Sequence, residues 1–272
     1  MRKFLIFAAL LLPLSAGAQE FAARTSAGAD VKLKKGLHLG VEEEIRIDDG
    51  LSGLDNLRTT LDLSWKVNKH LKFRGGYTLI NPWKTSSDYT GFRSPRHRLF
   101  ADGTYTWRTG DFQLSAKERL QLTHRTDEDL NVYQTTPNAL ALKSRIGVKY
   151  KGLDNWEPFM YLEARAALND PWGEVSGSIQ YTNSGKAYYA YTHTGYTHAY
   201  INRYRMNLGT DWSPAKHHSF TFNLLADYCS DYKIDTNGQD KWASKGVRLF
   251  ADTTGWEDTF RVSLCLGYTY KF

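Results

Sequence analysis

Beyond residue 19 the chain alternates apolar and polar side chains with a period of two. That is the signature of strands whose two faces meet different surroundings. Residues 56–67 carry it most clearly. Leu57, Leu61, Leu63, Trp65 and Val67 share one parity, and Asn56, Arg58, Thr60, Asp62, Ser64 and Lys66 share the other. Residues 37–47 repeat it, with Leu37, Leu39, Val41, Ile45 and Ile47 set against His38, Glu42, Glu44 and Arg46. The same pattern predicts strands over 71–79, 99–107, 112–122, 140–150, 160–168, 200–212, 220–232, 247–251 and 260–272, with a weaker one over 23–33. The expectation is an all-β chain of about twelve strands with no amphipathic helix.

The connections alternate in length. Short ones fall near Asn68, at Thr109-Gly110-Asp111, near Asp154-Asn155, at Ser213-Pro214-Ala215 and at Thr254-Gly255-Trp256. Longer ones cover about 48–55, 81–95, 126–138, 169–199 and 232–242. Tight turns on one side and loops on the other fit an up-and-down antiparallel meander closed into a barrel. A further hairpin around Asn183-Ser184-Gly185-Lys186 would raise the count to about fourteen strands. Either even count puts both termini at one end and the short turns at the other, whereas bacterial barrels usually keep them together.

A soluble sandwich would bury the apolar face, and a transmembrane barrel would turn it to lipid and line its lumen with polar groups. Three features favour the transmembrane barrel. The polar face carries Arg58, Arg74, Arg98, Arg119, Arg145, Arg165, Arg203, Arg205, Arg248 and Arg261, with Asp62, Asp102, Glu163, Asp211, Asp227 and Asp252. Aromatic residues gather at the predicted strand ends, at Trp65, Tyr77, Trp107, Tyr150, Trp212, Tyr268 and Tyr270, where interfacial girdles belong. The chain closes on Tyr268, Tyr270 and Phe272, a phased aromatic ending that reads as an assembly signal for outer-membrane barrels. Glu118 resists this reading, because it has the apolar parity between Ala116 and Leu120. A bulge, or a position near the interface, would remove the conflict.

Composition sharpens the picture. The chain is 41% hydrophobic and 14% aromatic, yet its mean hydropathy is −0.52, too apolar for disorder and without the runs of a helical membrane protein. The one apolar run, residues 4–14, follows Arg2 and Lys3 and precedes Ala16-Gly17-Ala18. It reads as a secretory signal peptide over 1–18, cleaved after Ala18, with a barrel domain over 19–272. A membrane anchor is the alternative, but the run is shorter than the ~20 residues a spanning helix needs. Losing Arg2 and Lys3 brings the charge below the whole chain's +6, too mild to argue for nucleic acid. The expected location is the cell outer membrane. Expected partners are its lipid and the barrel assembly machinery through the last strand, with a small solute or glycan in addition.

The chain also resembles a family of Gram-negative outer-membrane barrels, the domain-of-unknown-function 2490 family. The resemblance rests on Leu57-Arg58, on the hairpin Trp65-Lys66-Val67-Asn68-Lys69-His70-Leu71 and on Arg96-His97-Arg98-Leu99. It rests above all on Asn202-Arg203-Tyr204-Arg205-Met206-Asn207-Leu208-Gly209 and on Lys216-His217-His218-Ser219-Phe220. It implies an outer-membrane barrel and supplies no activity, catalytic residue or cofactor.

Chemistry is sparse. Basic residues outnumber acids on the lumen parity, which reads either as an anion-attracting pore or as a salt-bridge network closing a narrow barrel. Aromatics crowd residues 172–204, with Trp172, Tyr181, Tyr188, Tyr189, Tyr191, Tyr196, Tyr200 and Tyr204. They suit a glycan-stacking loop or plug, or more simply a long hairpin with a girdle. His193, His198, His217 and His218 lack the acids or cysteines of a metal site. No cofactor is expected. A lipid hydrolase using residues such as His124, Ser144 and Asn207 is the enzyme alternative, without a local nucleophile signature. Cys229 and Cys265 share the lumen parity with a strand between them, about 10 Å apart, so free thiols are expected.

Overall fold

The computed structural model describes residues 20–127, 135–170, 175–185, 187–193, 198–242 and 247–272. The expected signal peptide lies outside these residues. The strands are β1 (Glu20–Lys34), β2 (Leu37–Ile47), β3 (Leu54–Lys66), β4 (Leu71–Thr85), β5 (Thr90–Phe92), β6 (Arg96–Thr109) and β7 (Phe112–Arg125). They continue as β8 (Asn138–Tyr150), β9 (Trp156–Asp170), β10 (Val175–Tyr181), β11 (Ala187–His193), β12 (His198–Ala215), β13 (His218–Trp242) and β14 (Val247–Lys271). Among the described residues the only helix is the 3-10 turn Asp49–Leu51.

A closed barrel forms from β3-β2-β1-β14-β13-β12-β9-β8-β7-β6-β4, with β4 returning to β3 and β5 added on β4. The wall therefore has eleven strands. An alternating run of odd length ends pointing the way it began, so one seam must be parallel. That seam is β1 with β14, where Glu20 faces Arg261 and Asp30 faces Lys271. All other wall pairs are antiparallel. The wholly antiparallel meander expected from the sequence is corrected to this mixed barrel.

The difference from twelve wall strands lies in β14. The break expected at Thr254-Gly255-Trp256 is absent, because that stretch pairs continuously with β13, Gly255 facing Lys233 and Trp256 facing Tyr232. A long partner strand overrides a local turn signal. The hairpin expected around Gly185 exists as β10–β11, with Gly185 at φ 76°. It forms a separate two-stranded sheet and adds nothing to the wall. Ser213-Pro214-Ala215 stays within β12 as a bulge between Trp212 and Ala215, which suits a proline that cannot donate to the ladder.

The odd count places the two ends of the wall apart, so only the C-terminal end joins the short turns. The turns at 35–36, 67–70, 110–111, 151–155 and 216–217 share one end with Phe272, while β1 starts toward the other. Lys66 N donates to Gly36 O, Thr106 N to His70 O, Lys151 N to Asp111 O, Ser213 N to Asn155 O and Lys271 N to His217 O, tying neighbouring turns together.

The faces are inverted relative to a soluble protein. Along β3, Leu61, Leu63 and Trp65 are about half exposed, while Asp62 and Ser64 between them are buried. Ile146 is 63% exposed and Leu99 57%, whereas Glu163 is 6% and Asp227 2% exposed. Glu118 keeps its outward parity with no bulge, facing Gly103 and Ser144 in continuous register. Its conflict is met differently: Ser144 Oγ donates to its carboxylate at 2.7 Å.

Aromatics ring the short-turn end. Trp156 stacks on Trp212 at 5.5 Å between centroids, Trp212 meets Phe220 at 5.3 Å and Phe220 meets Tyr268 at 5.1 Å. Tyr270 meets Phe272 edge-on at 4.6 Å, and Phe112 meets Tyr150 at 5.2 Å. Tyr77 is not at a strand end, because β4 runs on to Thr85.

Candidate functional site: the charged interior

The sheet's period of two delivers one charged rung after another to the lumen. Arg145, Glu163, Arg205, Asp227, Arg261 and Glu20 are successive cross-strand partners around β8, β9, β12, β13, β14 and β1. Their signs alternate, and opposite charges on facing positions stabilise a sheet. Arg145 Nη2 reaches Glu163 at 2.5 Å. Arg205 Nε donates to Asp227 at 2.6 Å, and its Nη1 lies 3.5 Å from Glu163. Arg261 pairs with Glu20, and Arg24 reaches Asp227 at 3.6 Å.

The belt continues on the other wall. Asp62 accepts from Arg74 at 2.6 Å, and Asp102 accepts from Arg119 at 2.5 Å and Lys117 at 3.0 Å. Phe100 lies between two of these cations, 4.3 Å from Arg119 and 5.4 Å from Arg74. Nearer the short turns, Lys149 bonds Asp211 at 2.6 Å. Among the described residues, these inter-strand ion pairs link strands that are neighbours or next but one. They run along the wall rather than across the lumen.

The next rung is different. Lys143, Arg165 and Arg203 are also cross-strand partners on β8, β9 and β12. None of the three forms an ion pair among the described residues, and the Nε of Arg203 is buried without a hydrogen-bond partner. Arg119, in register with Lys143, extends the row onto β7. Lys143, Arg165 and Arg203 line a chamber of about 580 Å³ toward the long-loop end, with Arg46, Arg58, Arg98, Arg125 and Arg205. Asp170 and Asp231 are its acids. A second chamber of about 190 Å³ lies at mid-height and shares Arg46, Arg58, Arg98, Gln121, Lys143 and Arg205 with the first.

Of the residues singled out from sequence, Arg58, Asp62, Arg74, Arg98, Asp102, Arg119, Arg145, Glu163, Arg165, Arg203, Arg205, Asp211, Asp227 and Arg261 belong to the inward parity. Arg58 lies 3.8 Å from Glu44, and Arg98 Nε donates to Thr123 at 3.1 Å. The side chains of Arg248 and Asp252 lie outside the described residues. The selection passed over Glu20, Arg24, Lys117, Lys143 and Arg125. Lys117 and Lys143 carry the same parity as Arg119 and Arg145, which was the available signal.

A family model described as a protein of unknown function, DUF2490, matches residues 24–214. The chain belongs to the DUF2490 family. The match begins four residues into β1 and continues almost to the end of β12, so the Lys143–Arg165–Arg203 row falls wholly within it. Strands β13 and β14, with Asp227 and Arg261, lie beyond it, as does the segment 216–220. No curated protein matches the chain.

The other candidates disperse. Ser144 bonds Glu118, His124 Nδ1 meets Asn138 at 2.7 Å and Asn207 donates to Tyr161 at 2.9 Å. His217 bonds the Lys271 carbonyl and His218 meets the Tyr268 hydroxyl, while the side chains of His193 and His198 lie outside the described residues. So do those of Trp172, Tyr188, Tyr189, Tyr191 and Tyr196; Tyr200 meets Trp256 edge-on at 5.1 Å. Cys229 and Cys265 are free thiols, but no strand intervenes. On the adjacent β13 and β14, Cys229 faces Thr259 and Cys265 faces Asn223, so about 20 Å of strand separates them.

Proposed function

We propose that this chain is an outer-membrane β-barrel that admits small anionic solutes to its lumen. The inverted wall carries the reading. A sheet with exposed Leu, Ile and Trp outside and carboxylates buried inside suits lipid outside and water within. The wall strands of 11–25 residues exceed the ~9–11 needed to cross the hydrocarbon, and closure leaves no unpaired edge in it. The unpaired cations of the larger chamber supply the attraction for anions. Among the described residues the ion pairs follow the wall and do not themselves cross the axis. The narrow mid-height chamber restricts passage to small solutes.

Planar bilayers holding the folded protein test this. The expected result is step currents whose reversal potential, under a potassium chloride gradient, reports chloride preference. A folded protein that gives no steps at any voltage overturns the transport reading and leaves a barrel acting through its loops. The aromatic ending serves assembly in this account. Deleting Phe272, which is 68% exposed, lowers the outer-membrane level; an unchanged level contradicts that role.

A further inference from the structure

We infer that the Lys143–Arg165–Arg203 row is a binding site for a small solute bearing two or more phosphate groups. The inference deepens the proposed function and rests on the larger chamber being reachable by solute. Like charges directly opposite in a sheet are destabilising, and a buried cation without a partner is costly. Here three stand in successive strands, about 4.8 Å apart, with no ion pair among the described residues. The adjacent rung on the same strands is fully alternating, so the wall can supply carboxylates at this depth. The basic row is a departure from a pattern the barrel follows one step away.

Two further observations point to a ligand. The Nε atoms of Arg203 and Arg125 are buried and unpartnered, and both residues line the chamber. The register of β12 shifts between Ile201 and Arg203, a bulge of the kind that re-aims side chains at functional sites. It leaves Asn202 buried and donating to Asp231 at 2.7 Å, which occupies one oxygen of that chamber acid.

The chemistry favours phosphate over a single carboxylate. Guanidinium forks match the oxygens of tetrahedral oxyanions in bidentate fashion. A lone carboxylate answers one cation, whereas this row adjoins Arg98 and Arg125 and calls for dense, multiple negative charge. A chamber of about 580 Å³ is within the range of small-molecule sites.

Calorimetric titration of the folded full chain in detergent with inorganic pyrophosphate at low ionic strength tests the site. Saturable binding is expected, weakened at least about tenfold by Arg165→Gln or Arg203→Gln, since each removes a charge-assisted contact. Lys216→Gln, in the exposed turn between β12 and β13, binds as the unaltered protein does. Both lumen variants relieve repulsion, and heat-modifiable gel mobility checks that they fold. Absence of saturable binding by folded protein overturns the site, as does undiminished binding by both lumen variants. Citrate binding as tightly as pyrophosphate overturns the phosphate class. Chloride-selective conductance without pyrophosphate binding overturns this site alone; binding without conductance overturns the transport reading and leaves the site.

Discussion

On β8, β9 and β12 two inward rungs lie side by side, two residues apart. Arg145, Glu163 and Arg205 form one, and Lys143, Arg165 and Arg203 the other. Strands and parity are shared, and only the middle residue changes sign. In the first rung Glu163 is held by two arginines, and burial of each charge is offset by its neighbour. In the second, every member repels the next. The first rung is what a barrel needs to keep charges inside its wall. The second is what it carries beyond that need, and excess unneutralised charge at one place in a lumen is a binding feature.

Breaking the paired rung should have the largest effect. Glu163→Gln leaves Arg145 without its carboxylate, and losing one member of a buried pair costs about 3–5 kcal/mol. Urea unfolding in vesicles reads this directly; a loss below about 1 kcal/mol would mean that the rung is solvated rather than structural.

Moving one residue along β9 tests the other face. Leu162 is 46% exposed and mid-strand. Leu162→Arg is expected to destabilise the barrel in vesicles by about 2–4 kcal/mol. A negligible loss would mean that this face meets water.

Remaking the second rung in the image of the first is a subtler change. Arg165→Glu restores alternation between Lys143 and Arg203, and is expected to stabilise by about 1 kcal/mol while lowering chloride preference in bilayers. Destabilisation with unchanged selectivity would contradict the contrast between the rungs. At the small end, Lys216→Gln shifts stability by no more than about 0.5 kcal/mol; a larger shift in the same unfolding assay would show that charge matters everywhere and not by rung.

Much of this was legible in the chain. Residues 37–47 and 112–122 were readable as strands because one face of each is apolar apart from a single acid, Glu43 and Glu118, and the same alternation on other strands gave the inward parity of Arg145, Glu163 and Arg205. The contrast between rungs was not readable, since it depends on register: which residue on β12 faces Arg165 is set by the shift at Ile201–Arg203. The odd wall count was hidden for a similar reason. Gly255 looks like a turn locally, and only its pairing with Lys233 keeps it in β14. The partner of Glu118 lay on another strand, at Ser144, out of reach of any local pattern.

The inside-out wall is the claim on which the rest depends, and β3 tests it most directly. Nitroxide labels placed singly at Thr60, Leu61, Leu63 and Ser64, in protein reconstituted into vesicles, report collision with lipid-soluble oxygen and with a water-soluble nickel chelate. The expected result is alternation: oxygen dominates at 61 and 63, and nickel at 60 and 64. Nickel dominating at 61 and 63, or no alternation along the strand, would contradict a barrel with lipid outside and a charged lumen within.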